Sequence, residues 1–424
     1  MPRGVFLGLL VFVLLLTGLA TLHGTLLALT LPLLVYLFYG LWRGSDEIKL
    51  AVDRSMSKER VAPNTPVNIK ITITNLHGDL EELAVVDVIS PALKVVDGSN
   101  HHLISLPKGG SYSFDYTISG PRGGFPFETL HAEAGDHLGI LRAKQDIRMF
   151  GQLFVFPNIA RIKQVPIRPR RTRVYAGTIP ARVGGSGVEF FGVRDYQPGD
   201  SPRQINWQVS ARHVEDLYSN EFQQERVADV GIVLDGRVRS NLFASDHSLF
   251  EHSVLAAGAL ADAFLMQGNR VGLLVYSQYL QWTWPGYGKM QRERILHALS
   301  HAAPGDSQVF DGLQYLPTRM FPIESQIVLV SPLVEDDYLP LIQLRARGYQ
   351  VMIVSPDPVS FEQTYLTDRP EVRLAARVIR MERELMLNRV QRAGVQLVEW
   401  NVAQPFDQTA RRFFRRRIQM GDRL

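Results

Sequence analysis

Two apolar runs at the start of the chain restrict its possible folds more than any other feature. Val5 to Leu22 carries no charged residue, and after His23-Gly24 neither does Thr25 to Trp42. Each run approaches the roughly 20 residues with which a helix crosses bilayer hydrocarbon. A cleaved signal peptide is one reading, with Arg3 ahead of the apolar stretch and Gly18-Leu19-Ala20 as a small-x-small site. The second run, following at once where a soluble domain should begin, favours a membrane helical hairpin over residues 1–46. Arg3, Arg43 and Lys49 flank the pair and no Lys or Arg separates its members, so both ends are expected in the cytoplasm. The expected location is therefore the cell membrane, multi-pass, with the lipid bilayer as a partner and the soluble domains cytoplasmic. Pro32 is expected to kink the second helix.

The period changes to two over residues 47–157. Val67 to Asn75 alternates apolar and polar, as a half-buried strand does. Further strands are expected at Leu83–Ile89, His101–Leu106, Ser111–Ile118, Glu128–Glu133 and Ile140–Phe150. They are separated by turn sequences such as Asp97-Gly98 and Lys108-Gly109-Gly110. Short strands at this spacing predict an all-β, immunoglobulin-like sandwich. It carries no catalytic cluster, and His101-His102 has no third ligand nearby in the sequence. A spacer or interaction module is the expectation.

Residues 158–183 read as a linker. Arg161 to Arg173 holds six basic residues and no acid. Contact with anionic lipid is one reading; a solvated segment kept extended by Pro166 and Pro169 is the plainer one. The net charge of +4 over 424 residues is mild, and no aromatic residue is interleaved in the basic run, so nucleic acid is not expected as a partner. Cysteine is absent, which excludes disulfides and thiolate metal sites.

From Gly184 the chain runs through polar, glycine-rich sequence to Val230-Gly231-Ile232-Val233-Leu234, an apolar β-type run that brings Asp235 to a strand end. Residues 184–229 form a distinct segment. Residues 230–424 alternate strand and helix patterns, which predicts an α/β, Rossmann-like domain with a mostly parallel sheet. Sites in such sheets form at the carboxyl ends of strands, where Asp235 and Ser331 fall.

Gly187-x-Glu189-Phe190-x-Gly192-x-Arg194-x-Tyr196-x-Pro198-Gly199-Asp200 and Arg203-x-Ile205-Asn206-Trp207-x-x-Ser210-Ala211-Arg212 together resemble the signature of the domain of unknown function 58 family. Gly135-Asp136-x-x-Gly139-Ile140-Leu141 resembles the family's usual approach to it. The order of membrane helices, β domain, signature and α/β domain matches the family layout over nearly the whole chain. The resemblance implies a von Willebrand factor type A-like C-terminal domain, a MoxR-type AAA+ ATPase as partner, and no enzymatic activity.

The same resemblance makes a Mg²⁺ site testable, because such domains hold the ion with Asp-x-Ser-x-Ser at a strand end. Here Asp235 is followed by Gly236, Arg237, Val238 and Arg239, so both serine positions are arginines. Ser240 comes one position late, and Pro332 follows Ser331 where an aspartate is common. Two cations beside Asp235 would repel a divalent ion, so no metal or other cofactor is expected. One reading is that Arg237 or Arg239 replaces the metal and takes a partner carboxylate. The alternative is a decayed site whose arginines pair with Asp235 or Asp246.

Arg194, Tyr196, Asp200, Arg203, Asn206, Trp207 and Arg212 are the signature's candidate docking residues, with Trp207 expected to be buried. The expected function is a membrane-anchored, non-enzymatic adaptor. The alternative is an envelope-acting hydrolase or transferase whose site would use Asp195, Asp200, Glu221 and Glu225 with Arg194, Arg203 and Arg212. No Gly-x-x-x-x-Gly-Lys-Ser/Thr loop occurs, so ATP hydrolysis would have to come from a partner.

Overall fold

The computed structural model describes residues 3–42, 48–135, 142–162, 165, 172–212, 216–244, 247–306 and 320–421. The chain divides into two units, Met1–Phe156 and Pro157–Leu424. Several features of the sequence lie outside the described residues: Arg43, Asp136 to Leu141, His213, Asp246, and Lys163, Arg168, Arg170 and Arg171 of the basic run.

The first unit opens with two apolar helices, α1 (Arg3–Thr21) and α2 (Gly24–Trp42), the second containing Pro32. Large apolar side chains project outward from both, among them Phe6, Phe12 and Leu16 on α1 and Leu31, Val35 and Phe38 on α2. Hydroxyls within the pair are satisfied by the helix's own carbonyls: Thr17 donates to Val13 O at 2.8 Å and Thr30 to Leu27 O at 2.7 Å. The apolar stretches of these helices are short by the measure of a membrane span. The described helix that passes by length and composition is Leu249–Met266, which is 78% buried inside the second unit. The N-terminal pair is thus a modest indication of membrane association.

Among the described residues nine strands follow: β1 (Leu50–Met56), β2 (Arg60–Val61), β3 (Val67–Asn75), β4 (Leu80–Asp87), β5 (Lys94–Gly98), β6 (His101–Leu106), β7 (Ser111–Ser119), β8 (Gly123–Gly135) and β9 (Arg142–Val155). They form one sheet in the order β1-β3-β7-β5 and a second in the order β2-β9-β8-β4-β6. In β3 the side chains of Val67, Ile69, Ile71 and Ile73 are all fully buried, alternating with exposed or half-buried ones, which is the period-two pattern of the sequence made visible. They join Leu83, Phe127, Leu130 and Leu153 of the other sheet in one core. Asp87, fully buried, takes the Arg54 guanidinium and the Tyr116 hydroxyl. His102 leans on Phe114, ring centres 4.2 Å apart, and hydrogen-bonds Ser99 O at 3.0 Å. His102 is therefore part of the packing, and His101 is exposed. Strands β8 and β9 are longer than their apolar runs suggested, because they pair with each other along almost their whole length.

The second unit begins with two long strands, β10 (Thr172–Asp195) and β11 (Tyr218–Asp235), joined through the one-turn helix α3 (Trp207–Ser210). After a small ribbon of β12 (Phe243–Ala244) and β13 (His247–Ser248) come α4 (Leu249–Met266), β14 (Arg270–Tyr276), β15 (Leu280–Gly286) and α5 (Gly288–His301). Then follow β16 (Gln326–Val330), α6 (Tyr338–Ala346), β17 (Gln350–Pro356), α7 (Pro358–Tyr365), α8 (Pro370–Arg392), β18 (Gln396–Trp400) and α9 (Phe406–Gly421). The sheet order is β15-β14-β11-β16-β17-β18, with β10 added to β11. Strands β14, β11, β16, β17 and β18 run parallel, and β15 is an antiparallel edge. Helices α4, α5 and α9 cover the Ile232 and Val328 face, and α6 and α8 cover the Val233 and Leu329 face.

Two expectations need correction. The stretch after residue 157 is not simply a solvated linker: Ile162 and Val165 are buried in the α4 core, and Thr172 already lies in β10. Nor is the signature flexible polar sequence, since β10 pairs with β11 from Thr172–Ala228 to Asp195–Tyr218. Strand β11 is continuous through residue 229, leaving its hairpin with β10 and entering the parallel sheet without a break.

Candidate functional site

Strand β11 is flanked by β14, which follows it in the chain, and by β16, which comes later. Connections leave it in opposite directions, so a crevice forms at the carboxyl ends of β11 and β16. Asp235 ends β11 and Ser331 follows β16, which puts both at that crevice.

The side chain that occupies it is Arg237. Its Nε and one terminal nitrogen donate to the two carboxylate oxygens of Asp235, both at 2.8 Å. The two terminal nitrogens donate to Asp337 at 2.9 and 2.7 Å. The Ser331 hydroxyl donates to Asp235 at 2.6 Å, and the backbone N–H of Val334 donates to Asp337 at 3.0 Å. Asp235, Ser331, Asp337 and Arg237 are all essentially buried, Arg237 being 2% exposed. Burial by itself would lower the Arg237 pKa; hydrogen bonds and charge from Asp235 and Asp337 more than reverse this, holding it above the ordinary arginine value. A planar guanidinium with donors on two edges can meet two carboxylates bidentately at once, which an ammonium cannot.

Such oxygens are what a Mg²⁺ ion would need. The guanidinium already lies within 2.9 Å of both carboxylates, so the residues present do not fit a divalent ion. Among the described residues, no group of three or more His, Asp or Glu side chains is arranged to hold a metal.

The expectation that Arg237 could take a partner's carboxylate is corrected by the same geometry, because its donors face inward. Arg239 differs: its side chain is 34% exposed and 4.0 Å from both Asp336 and Asp337. Ser240 points inward, donating to Arg237 O at 3.0 Å, and Asn241 braces the turn by donating to Arg237 O at 2.9 Å. Asp337 was missed from the sequence, although the acidic run Glu335-Asp336-Asp337 just beyond Ser331 was a visible signal.

A second buried arginine stands behind this turn. Arg383 of α8 donates to Pro332 O at 2.6 Å and to Ser355 Oγ at 2.7 Å, and burial holds its pKa below the ordinary arginine value. It borders a cavity of about 440 Å³ lined also by Leu333, Glu335, Pro358, Ile379 and Met386. No sequence pattern announced it, since Arg383 sits in a helix full of charged residues.

The signature residues gather at the other end of β11, up to about 55 Å from Asp235 if the strand were straight. Arg194 donates to Asp200 at 2.7 Å and approaches Glu221 at 3.8 Å. That hydrogen bond, with one from the Gln197 N–H, holds the Asp200 carboxyl below its ordinary pKa. The Tyr196 side chain is half-buried beside this turn. Asn206 caps α3, accepting from Val209 N at 3.0 Å, and its amide donates to Asn220 at 2.8 Å. Arg203 and Arg212 are exposed. Trp207 is 66% exposed, contrary to the expectation of burial, because a four-residue helix on a hairpin tip has no second layer to cover it. Asn206→Ala should cost about 1 kcal/mol of local stability and speed amide exchange at Val209, leaving the parallel sheet unchanged; equal exchange in the variant would remove the capping role.

With this geometry in view, comparison with known proteins becomes informative. Residues 192–362 match the model of the protein family of unknown function DUF58. The matched segment opens in the hairpin tip and contains Asp235, Arg237, Ser331 and Asp337, so the tip and the buried cluster fall in one DUF58 segment. A relative is the uncharacterized protein YeaD of Bacillus subtilis (strain 168), 30% identical over 154 residues. The match spans 36% of this chain and 36% of that relative, about a third of its length. Among solved structures, the human seminal plasma complex of zinc 2-glycoprotein and prolactin inducible protein aligns with 12% identity and a TM-score of 0.20, covering 26% of this chain and 99% of that chain. A FixG-related protein from Vibrio parahaemolyticus aligns with 11% identity and a TM-score of 0.18, covering 25% of this chain and 98% of that chain. Likenesses this slight carry no argument.

Proposed function

We propose that this chain is a membrane-anchored, non-enzymatic adaptor. In this reading α1 and α2 form a transmembrane hairpin with both ends in the cytoplasm. The β1–β9 unit is an immunoglobulin-like sandwich. The α/β unit is a von Willebrand type A-like domain that carries an internal arginine where such domains usually hold Mg²⁺. The partner is a MoxR-type AAA+ ATPase, a class indicated by the family resemblance.

The observation that carries the docking part is Trp207, exposed on a short helix with Arg203 and Arg212 exposed nearby. Tryptophan and arginine are the residues on which interfaces most often depend. The tip is also rigidly connected to the sheet, since β11 runs unbroken from Tyr218 to Asp235. The outward apolar side chains and internally satisfied hydroxyls of α1 and α2 suit a lipid surround.

A photo-cross-linking amino acid placed at Trp207 of the full-length chain tests this in native membranes. Recovery of an AAA+ ATPase is the expected result, with at least a tenfold lower yield from an affinity-tagged Trp207→Ala chain in a parallel capture. Trp207→Ala should leave thermal unfolding unchanged, since the side chain packs against little. Capture without any AAA+ ATPase, from a chain shown to be folded, would end the proposal.

A further inference from the structure

Helix α8 has two apolar faces, and the fold uses one. Ala376, Leu387 and Val390 are buried beneath it, together with Arg383. On the opposite side, roughly 180° away at 100° per residue, Leu374, Val378, Met381 and Leu385 are 65, 49, 59 and 64% exposed. Their spacing is four, three, four. That is a spacing with which a helix meets another helix, and α8 packs on its own domain with the other face.

We propose that this seam pairs with the same seam of a second copy, α8 against α8 in parallel. The charges flanking the seam support this occupant. With Leu374 and Met381 as the d positions and Val378 and Leu385 as the a positions, Arg377 and Glu384 fall at g, and Glu382 and Arg389 at e. All four are exposed. In a parallel pair each g residue faces the e residue five positions on in the other chain. Arg377 then faces Glu382 and Glu384 faces Arg389, so opposite charges meet four times across the two-fold axis. Antiparallel pairing uses them less well: Arg377 faces Glu384, but Glu382 faces Ala375. The seam ends at Asn388, a polar residue at d that specifies register, and begins at Leu374, since Glu371 one layer earlier would meet its own copy. The second copy approaches from the side opposite the buried face, so pairing requires no change in the fold.

The absence of cysteine from the chain makes the test direct. In full-length protein in membranes, Leu374→Cys should form a disulfide dimer on mild oxidation, because parallel pairing places each residue beside its own copy. Adding Arg377→Glu should reduce the cross-linked fraction about tenfold, as two attractive contacts become repulsive, and adding Glu382→Arg to that chain should restore it. Cross-linking of Leu374→Cys only to a co-expressed Leu385→Cys chain would overturn the parallel arrangement. No disulfide dimer from either single-cysteine chain, nor from the two co-expressed, would overturn the interface itself.

Discussion

Arg237→Ala should lower the stability of the C-terminal unit by about 3–5 kcal/mol, the range for removing one partner of a buried ion pair. The substitution leaves Asp235 and Asp337 buried side by side without their shared cation. Two carboxylates in that position must take up a proton, admit water or move apart, and each is unfavourable. The loss should appear in urea unfolding followed by tryptophan fluorescence, and it should change little with salt, because the pair is shielded from solvent. Arg237→Lys should recover only part of it, since an ammonium cannot reproduce the four bidentate bonds to the two carboxylates. Removing Asp337 as well should recover part of the loss by taking away one of the two charges. Two buried carboxylates left without a cation are oxygen ligands of the kind Mg²⁺ takes, so millimolar Mg²⁺ should raise the melting temperature of Arg237→Ser and leave the parent chain unmoved. A parent-like Arg237→Ala chain would show that the cluster contributes no structure.

Phe321→Ala is expected to cost a similar amount, about 3–5 kcal/mol, for a different reason. Gly231 of β11 and Gly272 of β14 are direct neighbours across the sheet. A Cβ at Gly231 would lie 2.6 Å from the Phe321 ring, and one at Gly272 would lie 3.1 Å from it. The two glycines thus open a slot at the β14 end of the five-stranded parallel run, and the buried Phe321 ring fills it. Truncation empties the slot, and the flanking strands cannot close it without breaking their ladders. Gly231→Val should be destabilising as well, since the ring has nowhere to go, whereas Gly231→Val combined with Phe321→Ala should be milder than either variant alone. Melting curves of the three chains test this coupling; strictly additive losses would argue against the slot.

Much of the architecture could be read from patterns whose cause is local. The alternation of Val67 to Asn75 placed β3, because a half-buried strand must alternate. The apolar runs Val271–Tyr276 and Ile327–Val330 mark most of β14 and β16, because strands buried on both faces read as near-continuous apolar runs. Helix α7 was not legible: Pro358–Tyr365 is short, and its start depends on Asp357 accepting from Val359 N and Ser360 N. The extent of β10 was hidden too. Residues 158–183 read as a linker from their basic run and from Pro166 and Pro169, and only pairing with β11 makes an extended strand of the part from Thr172 on.

For the site, the sequence alone determined that Asp235 ends a strand and that Arg237 and Arg239 follow it closely. That follows from order along the chain, which a sequence states completely. Only the tertiary structure decided what those arginines do. Arg237 turns inward because Asp337, a hundred residues later, is brought to the end of β16 beside it. Arg239, two positions on, stays at the surface. The pairing is long-range and buried, so its energy depends on which carboxylates share the cavity, and no local pattern records that.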